Sequence, residues 1–525
     1  MDRDSLYLFD WRFRRASIDP RNRIPSQLRR RFRRWSASLA VVFGATAGMA
    51  ADTPALRLDD LLHRVAAANL TVAGELHQLD AARAERWGAW SIFEPQFNAE
   101  FTREANRRLN SRERFLSQQT PLFDEQNNVY GGSIELLAPI GTRLRYGAQV
   151  RDLRNNLQLP GQNEWDGFAG VTVTQPLLKN YGLGATMGPI RIARAEANAA
   201  FHHARANIGH VISSAEISYW ELYGAVEEWK LRQHSVEIAA KLLEDNRARV
   251  EAGRMGDLEV LQAEAGMALR ETQADEAEQR SLEASSLLRG FLGEIVAGPN
   301  PAYAPADAPP ATDLSPAAGE VETEAAWTHH PEYQARTAAI AGEEQRERLA
   351  WNQRLPQFDL KASYGLNGLG GRFERWYDTA TSDDYPSWFL GFELKVPVGP
   401  GIRGRADVRA ARSRLAGARA AREAVHVDLA NQIAAARERI AHLRERIGRY
   451  ESVVAYHDKV LAAELAALEL GRSDSRRVLQ AEQDLTEVRT DTLRQRVELR
   501  RAIVEREVLE GTYLQNRSLD LAEEK

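Results

Sequence analysis

From Arg405 to Leu470 the chain runs 66 residues without proline. Within this run Leu429, Ile433, Ala436, Ile440, Leu443, Ile447, Tyr450 and Val454 step alternately by four and three, the spacing of a helix packed along a coiled-coil seam. At ~1.5 Å per residue such a helix is roughly 100 Å long, wider than any single compact core. A matching stretch runs from Ile190 to Arg249. Each ends near a glycine, Gly253 or Gly471, and resumes as a return helix, so the sequence predicts two long antiparallel helical hairpins.

The hairpins belong to an internal repeat. Gly253-Arg254 and Val260-Leu261-Gln262-Ala263-Glu264 recur as Gly471-Arg472 and Val478-Leu479-Gln480-Ala481-Glu482 at an offset of 218, and Ala193-Arg194 recurs as Ala411-Arg412 at the same offset. Ala89-Trp90 and Pro95-Gln96-Phe97 recur as Ala350-Trp351 and Pro356-Gln357-Phe358, at an offset of 261. Two constant offsets mean two copies of one unit, with 43 additional residues in the first copy between Phe97 and Gly170. Each copy reads as a helix (about Leu56–Ala89, and Glu320–Asn352), then strands, a very long helix, a break and a last helix. Pro299, Pro301, Pro305, Pro309, Pro310 and Pro316 forbid continuous helix between the copies. The expected organisation is therefore a first repeat over 51–298, a Pro/Ala-rich linker over 299–319, a second repeat over 320–512 and a short tail over 513–525.

The strand segments alternate. Phe97, Ala99 and Phe101 oppose Gln96, Asn98 and Glu100; Phe358, Leu360, Ala362 and Tyr364 oppose Gln357, Asp359, Lys361 and Ser363. Val171 and Val173 oppose Thr172 and Thr174, and Trp388, Leu390, Phe392, Leu394 and Val396 oppose Glu393 and Lys395. Period two with one polar face describes a half-buried strand, or a barrel wall with lipid outside and water within. The additional residues of copy one hold Ser133–Leu137 and Arg143–Val150, which alternate like another hairpin around Pro139-Ile140-Gly141-Thr142. We expect an external loop hairpin there, within an enlarged loop region over 103–167, with extra wall strands as the alternative. The polar segment from Arg103 to Asn128 is expected to be an external loop.

The N-terminus carries a different signal. The first 50 residues hold 11 Arg against 4 Asp, ending in Arg29-Arg30-Arg31-Phe32-Arg33-Arg34, followed by an apolar stretch from Leu39 to Ala50. A basic region, a short apolar run and small residues at its exit predict a signal peptide over 1–50, cut after Ala50 or Ala51. The run is shorter than the ~18–20 apolar residues a membrane-spanning helix needs. No other segment is long and apolar enough for one, so a membrane form of this chain must span with strands.

Composition removes several functions. The 43% hydrophobic content excludes low-complexity disorder, and the absence of cysteine excludes disulfide frameworks, zinc fingers, thiol catalysis and a lipid anchor on cysteine. The chain carries −5 overall in spite of its basic leader, so the body is acidic and unsuited to general nucleic-acid binding. No catalytic motif is found. Gly399-Pro400-Gly401-Ile402-Arg403-Gly404 matches a dinucleotide loop, but a long helix follows where a second buried strand is required, and the glycines are read as a strand-to-helix bend. His202-His203 and His329-His330 make poor chelates, since adjacent residues point to different helix faces. Trp165, Trp376, Trp388, Tyr377 and Tyr385 sit near strand ends, as interface-belt aromatics or as ordinary loop packing.

Two strands per copy give four per chain, and closing a barrel takes at least ~8. Open strand edges cannot face lipid, so the barrel must be shared between chains. The fold class is therefore mainly α with a membrane β-barrel section, two repeats per chain, and barrel and helices on one axis. The alternative is a soluble coiled-coil scaffold whose strands form a small antiparallel sheet.

The repeated unit, Gln175-Pro176, the stretch Pro189-Ile190-Arg191-Ile192-Ala193-Arg194, the segment Ile217-Ser218-Tyr219-Trp220-Glu221-Leu222 and both Gly-Arg…Val-Leu-Gln-Ala-Glu turns together resemble the TolC family of outer membrane efflux proteins. The resemblance covers nearly all of 55–512. It implies a homotrimer with a 12-stranded barrel in the outer membrane and a helical tunnel through the periplasm. It also implies a passive, non-enzymatic duct of a tripartite efflux or type I secretion system, without cofactor or metal. The implied partners are a periplasmic adaptor (membrane fusion) protein, an inner-membrane RND or ABC pump and outer membrane lipid. Adaptor contacts are implied beside Gly253, Arg254, Gly471 and Arg472 at the tips. The family's acidic ring is altered here, with Arg477 and Gln480 at positions where acids are often found. The entrance gate candidates are thus Asp257, Glu259 and Asp474, with Arg476 and Arg477, and the simplest closed arrangement pairs copy-one acids with copy-two arginines.

Overall fold

A computed structural model describes residues 55–156, 158, 163–253, 256–295, 303–310, 327–399, 401–470 and 472–521. The expected signal peptide, Arg254, Gly471 and most of the linker lie outside the described residues. The elements run β1 (Ala55–Leu56), α1 (Leu58–Ala68), α2 (Leu70–Gly88), β2 (Gln96–Leu109), α3 (Arg112–Gln118), β3 (Leu122–Leu137), β4 (Arg143–Leu153) and β5 (Glu164–Pro176). They continue α4 (Gly182–Thr186), α5 (Gly188–Glu251), α6 (Asp257–Phe291), β6 (Ala304–Pro305), α7 (Pro331–Gln353), β7 (Gln357–Gly370), α8 (Phe373–Thr381), β8 (Pro386–Lys395), α9 (Ile402–Glu469), α10 (Ser475–Leu509) and α11 (Tyr513–Asn516). Each half therefore runs helix, strands, long helix, return helix, as the repeated sequence requires.

The long helices have 64 and 68 residues, α5 and α9, each roughly 100 Å at ~1.5 Å per residue. The predicted seam is the buried stripe of α9: Leu429, Ile433, Ile440, Leu443 and Ile447 are buried, and the last three pack on Leu499, Ala502 and Ile503 of α10. The heptad spacing thus finds its partner in the return helix of the same copy. Near the other end of the hairpins, Ala239 and Leu242 of α5 pack with Leu468, Val478 and Leu479 of the second copy, joining the two repeats. A third core gathers α1, α5 and α6 around Trp220, Tyr219 and Leu288.

Three sequence expectations change in detail. The first helix is two, because Asn69 stops α1 in an extended conformation and caps α2 by accepting from the Thr71 and Val72 N–H groups. The described part of the linker is ordered: Ala304–Pro305 pairs in parallel with Ala55–Leu56, and Asp307 accepts from the Leu58 N–H at 2.7 Å, capping α1. The tail is docked as well, with Tyr513 and Leu514 buried against Ile208, Ile212 and Val504.

The largest correction concerns the strands. One six-stranded antiparallel sheet has the order β2-β3-β4-β5-β7-β8, where two strands per copy were expected. The hairpin expected as an external loop is β3 and β4, hydrogen-bonded on both sides into the sheet between β2 and β5. The segment from Arg103 to Asn128 is likewise no continuous loop. Its ends are strand, Arg103 pairing with Asn128, and only the stretch around α3 connects them. The reason is the alternation itself. Once β3 and β4 carry one apolar and one polar face, pairing with β2 and β5 satisfies their backbone, whereas a loop would leave it to water.

Candidate functional site: hairpin tips and the two-faced sheet

The registers place every strand's alternation on common faces. One face carries Phe97 and Phe101, then Tyr130 and Ile134 on β3, and Leu144 and Tyr146 on β4. It continues through Val171 and Val173, Leu360 and Tyr364, to Leu390 and Phe392. Val171, Val173 and Leu360 are half-buried, but the other side chains of this face stay exposed in the single chain, Phe97 at 74%, Tyr146 at 63% and Phe392 at 67%. The opposite face carries Asn98, Glu100, Ser133, Glu135, Arg143, Arg145, Thr172, Lys361, Glu393 and Lys395. Lys361 and Lys395 both meet Glu393, and Arg145 meets Glu135 at 3.5 Å. An apolar face beside an ion-paired face is what a wall between lipid and water requires.

At one end of the apolar face the aromatics form a chain. Phe101 lies 5.2 Å from Tyr130, Tyr130 stacks on Trp165 at 6.0 Å, and Trp165 meets Phe373 edge-on at 5.5 Å. Trp388, Tyr377 and Tyr385 are exposed, whereas Trp376 is buried with Val150 and Ala380. Of the five expected aromatics, Trp376 is thus packing, and Trp165 and Trp388 share the apolar face. Gly401 begins α9 at φ +61 and Gly399 sits at φ +141, so both occupy backbone conformations that favour glycine.

At the far end of α5, Gly253 has φ +69 and open space around it, ending the helix. Asp257 and Glu259 stand in the first turn of α6, where the helix dipole favours negative charge. In the second tip the Arg472 N–H closes back on the Ala467 carbonyl at 2.8 Å, the wrap of a helix C-terminus. Asp474 caps α10 by accepting from the Arg477 N–H at 2.9 Å, and its other oxygen lies 4.0 Å from the Arg477 guanidinium. Within one chain Arg477 therefore faces Asp474, its own cap. Among the described residues no ion pair joins Asp257 or Glu259 to Arg472, Arg476 or Arg477.

The sequence reading missed the residues that hold the tips together. Asn246, fully buried on α5, meets the Ser475 hydroxyl at 2.9 Å and donates to the Glu259 carbonyl at 3.5 Å, bridging both tips. Further along, Arg270 of α6 donates to Glu482 of α10 at 2.9 Å, to the Leu479 carbonyl at 2.7 Å and to Ser235 at 3.2 Å. Glu482 belongs to the repeated Val-Leu-Gln-Ala-Glu motif, and its counterpart Glu264 pairs instead with exposed Arg247. Nothing in the sequence distinguishes the two motif glutamates, because their partners Arg270 and Arg247 are brought near only by the packing of the hairpins. Nearer the strands, Glu216 accepts from Arg500, Arg517 and Tyr513. Burial disfavours its charge, but Arg517 and Arg500 outweigh that and hold its pKa below the ordinary carboxylate value. Burial lowers His330 to about 4, leaving its neutral Nδ1 to accept the Glu332 N–H at the start of α7. Among the described residues no group of three or more potential metal ligands converges, and no helix is long and apolar enough to cross a membrane.

Residues 324–505 match the Outer membrane efflux protein family. No curated protein matches by sequence. Among solved structures, the transmembrane channel CusC shares 14% identity over 89% of this chain and 95% of its own, with a TM-score of 0.63. The outer-membrane channel OprN shares 17% over 90% and 97%, with a TM-score of 0.62. The outer membrane protein VceC of Vibrio cholerae shares 16% over 86% and 96%, with a TM-score of 0.59. These likenesses are of fold, and they extend over both repeats. Together, residues 324–505 are similar in sequence to outer membrane efflux proteins, and the described body of both repeats shares the fold of these outer-membrane channels.

Proposed function

We propose that three copies of this chain form a passive export duct, with a β-barrel in the outer membrane and a helical tunnel in the periplasm. The observation that carries this reading is a six-stranded sheet with one exposed apolar face and one ion-paired face, whose edge strands β2 and β8 each have a neighbour on one side only. Such a sheet cannot stand alone in lipid, and joining edges with further copies removes the open hydrogen bonds. Beneath it, helices of roughly 100 Å have the length a tunnel needs. Residues 51–298 and 320–512 act as the two repeats joined by the linker at 299–319.

In this reading an adaptor docks at the tips marked by Gly253, Arg254, Gly471 and Arg472, and an RND or ABC pump supplies the cargo. Asp257, Glu259, Asp474, Arg476 and Arg477 ring the entrance. No ion pair between Asp257 or Glu259 and these arginines forms within one chain among the described residues, so in this reading their pairing belongs to the contact between neighbouring chains. Fractionation tests the function. The protein, expressed with its own leader in a bacterium with an outer membrane, enters the outer-membrane fraction and migrates as a trimer unless heated. A soluble monomer or dimer would instead fit a coiled-coil scaffold.

A further inference from the structure

The inserted hairpin changes the pore. β4 pairs with β3 from Asn128↔Asp152 to Leu137↔Arg143, and with β5 from Arg143↔Thr174 to Leu153↔Glu164, so it is a full strand of the sheet and not a flap upon it. Its apolar side, Leu144 and Tyr146, continues the outer face, and its other side places Arg143 and Arg145 among the ion-paired residues. The turn between β3 and β4 is fastened to the strand-to-helix junction. The Gly182 N–H donates to the Ile140 carbonyl at 3.0 Å, Thr142 hydrogen-bonds Gln175, and Gly141 takes φ +93 where the Asn180 carbonyl leaves no room for a Cβ. A hairpin paired on both sides and anchored at its turn is neither a plug nor an external loop.

We propose that β3 and β4 are membrane wall, so that three chains close an 18-stranded barrel instead of a 12-stranded one, and that this hairpin sets the width of the outer mouth. The count of three rests on the function proposed above; the wall placement rests on the registers. Six is an even number, so β2 and β8 run antiparallel and the seam between copies is an ordinary antiparallel pair. Barrel diameter grows roughly linearly with strand number, which makes the mouth about one and a half times as wide as four strands per chain would give. At this strand number barrels enclose an open aqueous channel. The outer mouth therefore passes any solute the helical tunnel admits, and discrimination by size falls to the tunnel and its tips.

The test compares the full chain with a variant lacking Leu122–Leu153, which leaves β2 joined to β5 through the remaining loop. Both are placed in nanodiscs, imaged end-on, and counted for chains per particle by native mass spectrometry. The expected result is three chains in each, with the full chain's ring about 1.5-fold wider. Equal rings with three chains would overturn the proposal. A count other than three would overturn the number 18 through the trimer reading. If the deleted variant does not assemble, the full chain decides the matter alone. Tyr146→Cys, spin-labelled in a chain without native cysteine, should be quenched by oxygen dissolved in the bilayer and protected from a water-soluble nickel chelate. The opposite pattern would place the hairpin in water and overturn the wall assignment.

Discussion

Arg270 and Glu482 form an ion pair between the return helices of the two repeats, 2.9 Å apart and with side chains only 6% and 2% exposed. Thr486 completes the carboxylate by donating its hydroxyl at 2.8 Å, and Ser235 shares the guanidinium. Removing one partner strands a buried charge, which costs about 3–5 kcal/mol, whereas replacing both with apolar side chains of similar volume is close to neutral. Arg270→Ala should therefore lower the thermal midpoint sharply, and Arg270→Met with Glu482→Met should recover most of the loss. A small effect of Arg270→Ala in thermal unfolding would mean that the two repeats are not joined through this pair.

His330 gives the fold an acid limit. Its pKa of about 4 in the folded chain lies below the ordinary 6.5, chiefly through burial, with Arg205 and His210 opposing its charge and Glu332 favouring it. A depressed folded-state pKa means that stability is fully present above about pH 6.5 and is lost as pH falls toward about 4. Asparagine can cap α7 without titrating, so His330→Asn should flatten that part of the stability profile. Parallel profiles for the two proteins in thermal unfolding across this pH range would contradict the assignment.

At the first tip, Gly253 has a positive φ and empty surroundings, so its cost to a side chain is conformational and not steric within the chain. Gly253→Ala should lower stability by about 1 kcal/mol and leave export intact. Gly253→Trp should abolish export of an effluxed dye while the trimer still reaches the outer membrane, because in the proposed docking arrangement the bulk obstructs the adaptor. Normal efflux by the tryptophan variant would move docking elsewhere.

In the proposed duct the second tip lies at the entrance. In a trimer each charge appears three times around the axis, and like charges ~4 Å apart repel by about 1 kcal/mol in water and by more in a narrow mouth. Arg477 neutralises part of that ring, so Arg477→Ala should admit large antibiotics that the outer membrane normally excludes. Asp474→Ala also removes the cap of α10, at a cost of about 1 kcal/mol, and should loosen the same turn. Unchanged antibiotic sensitivity in both variants would put the closure deeper in the tunnel.

Much of this architecture was legible because its elements are periodic. The seam from Leu429 to Ile447 named its own buried face, and the alternation of Phe97 and Leu390 named the outer one. The strand count was misread because alternation reports that Ser133–Leu137 and Arg143–Val150 are strands without reporting their neighbours, and pairing is a long-range property. Asn246 and Arg270 were invisible for a related reason. A polar residue on a long helix reads as solvated surface until the other hairpin arrives to bury it. Tyr513 and Arg517 looked like a tail because nothing near them in the chain announces Glu216, some 300 residues away.

Ionic current through single particles shows directly whether this chain builds a continuous water-filled duct. Purified protein confirmed as trimeric should enter a planar lipid bilayer from one side and give discrete, repeatable current steps, with Arg477→Ala raising the open probability. A trimer that inserts yet passes no current, in the full chain and in Arg477→Ala alike, would contradict the duct.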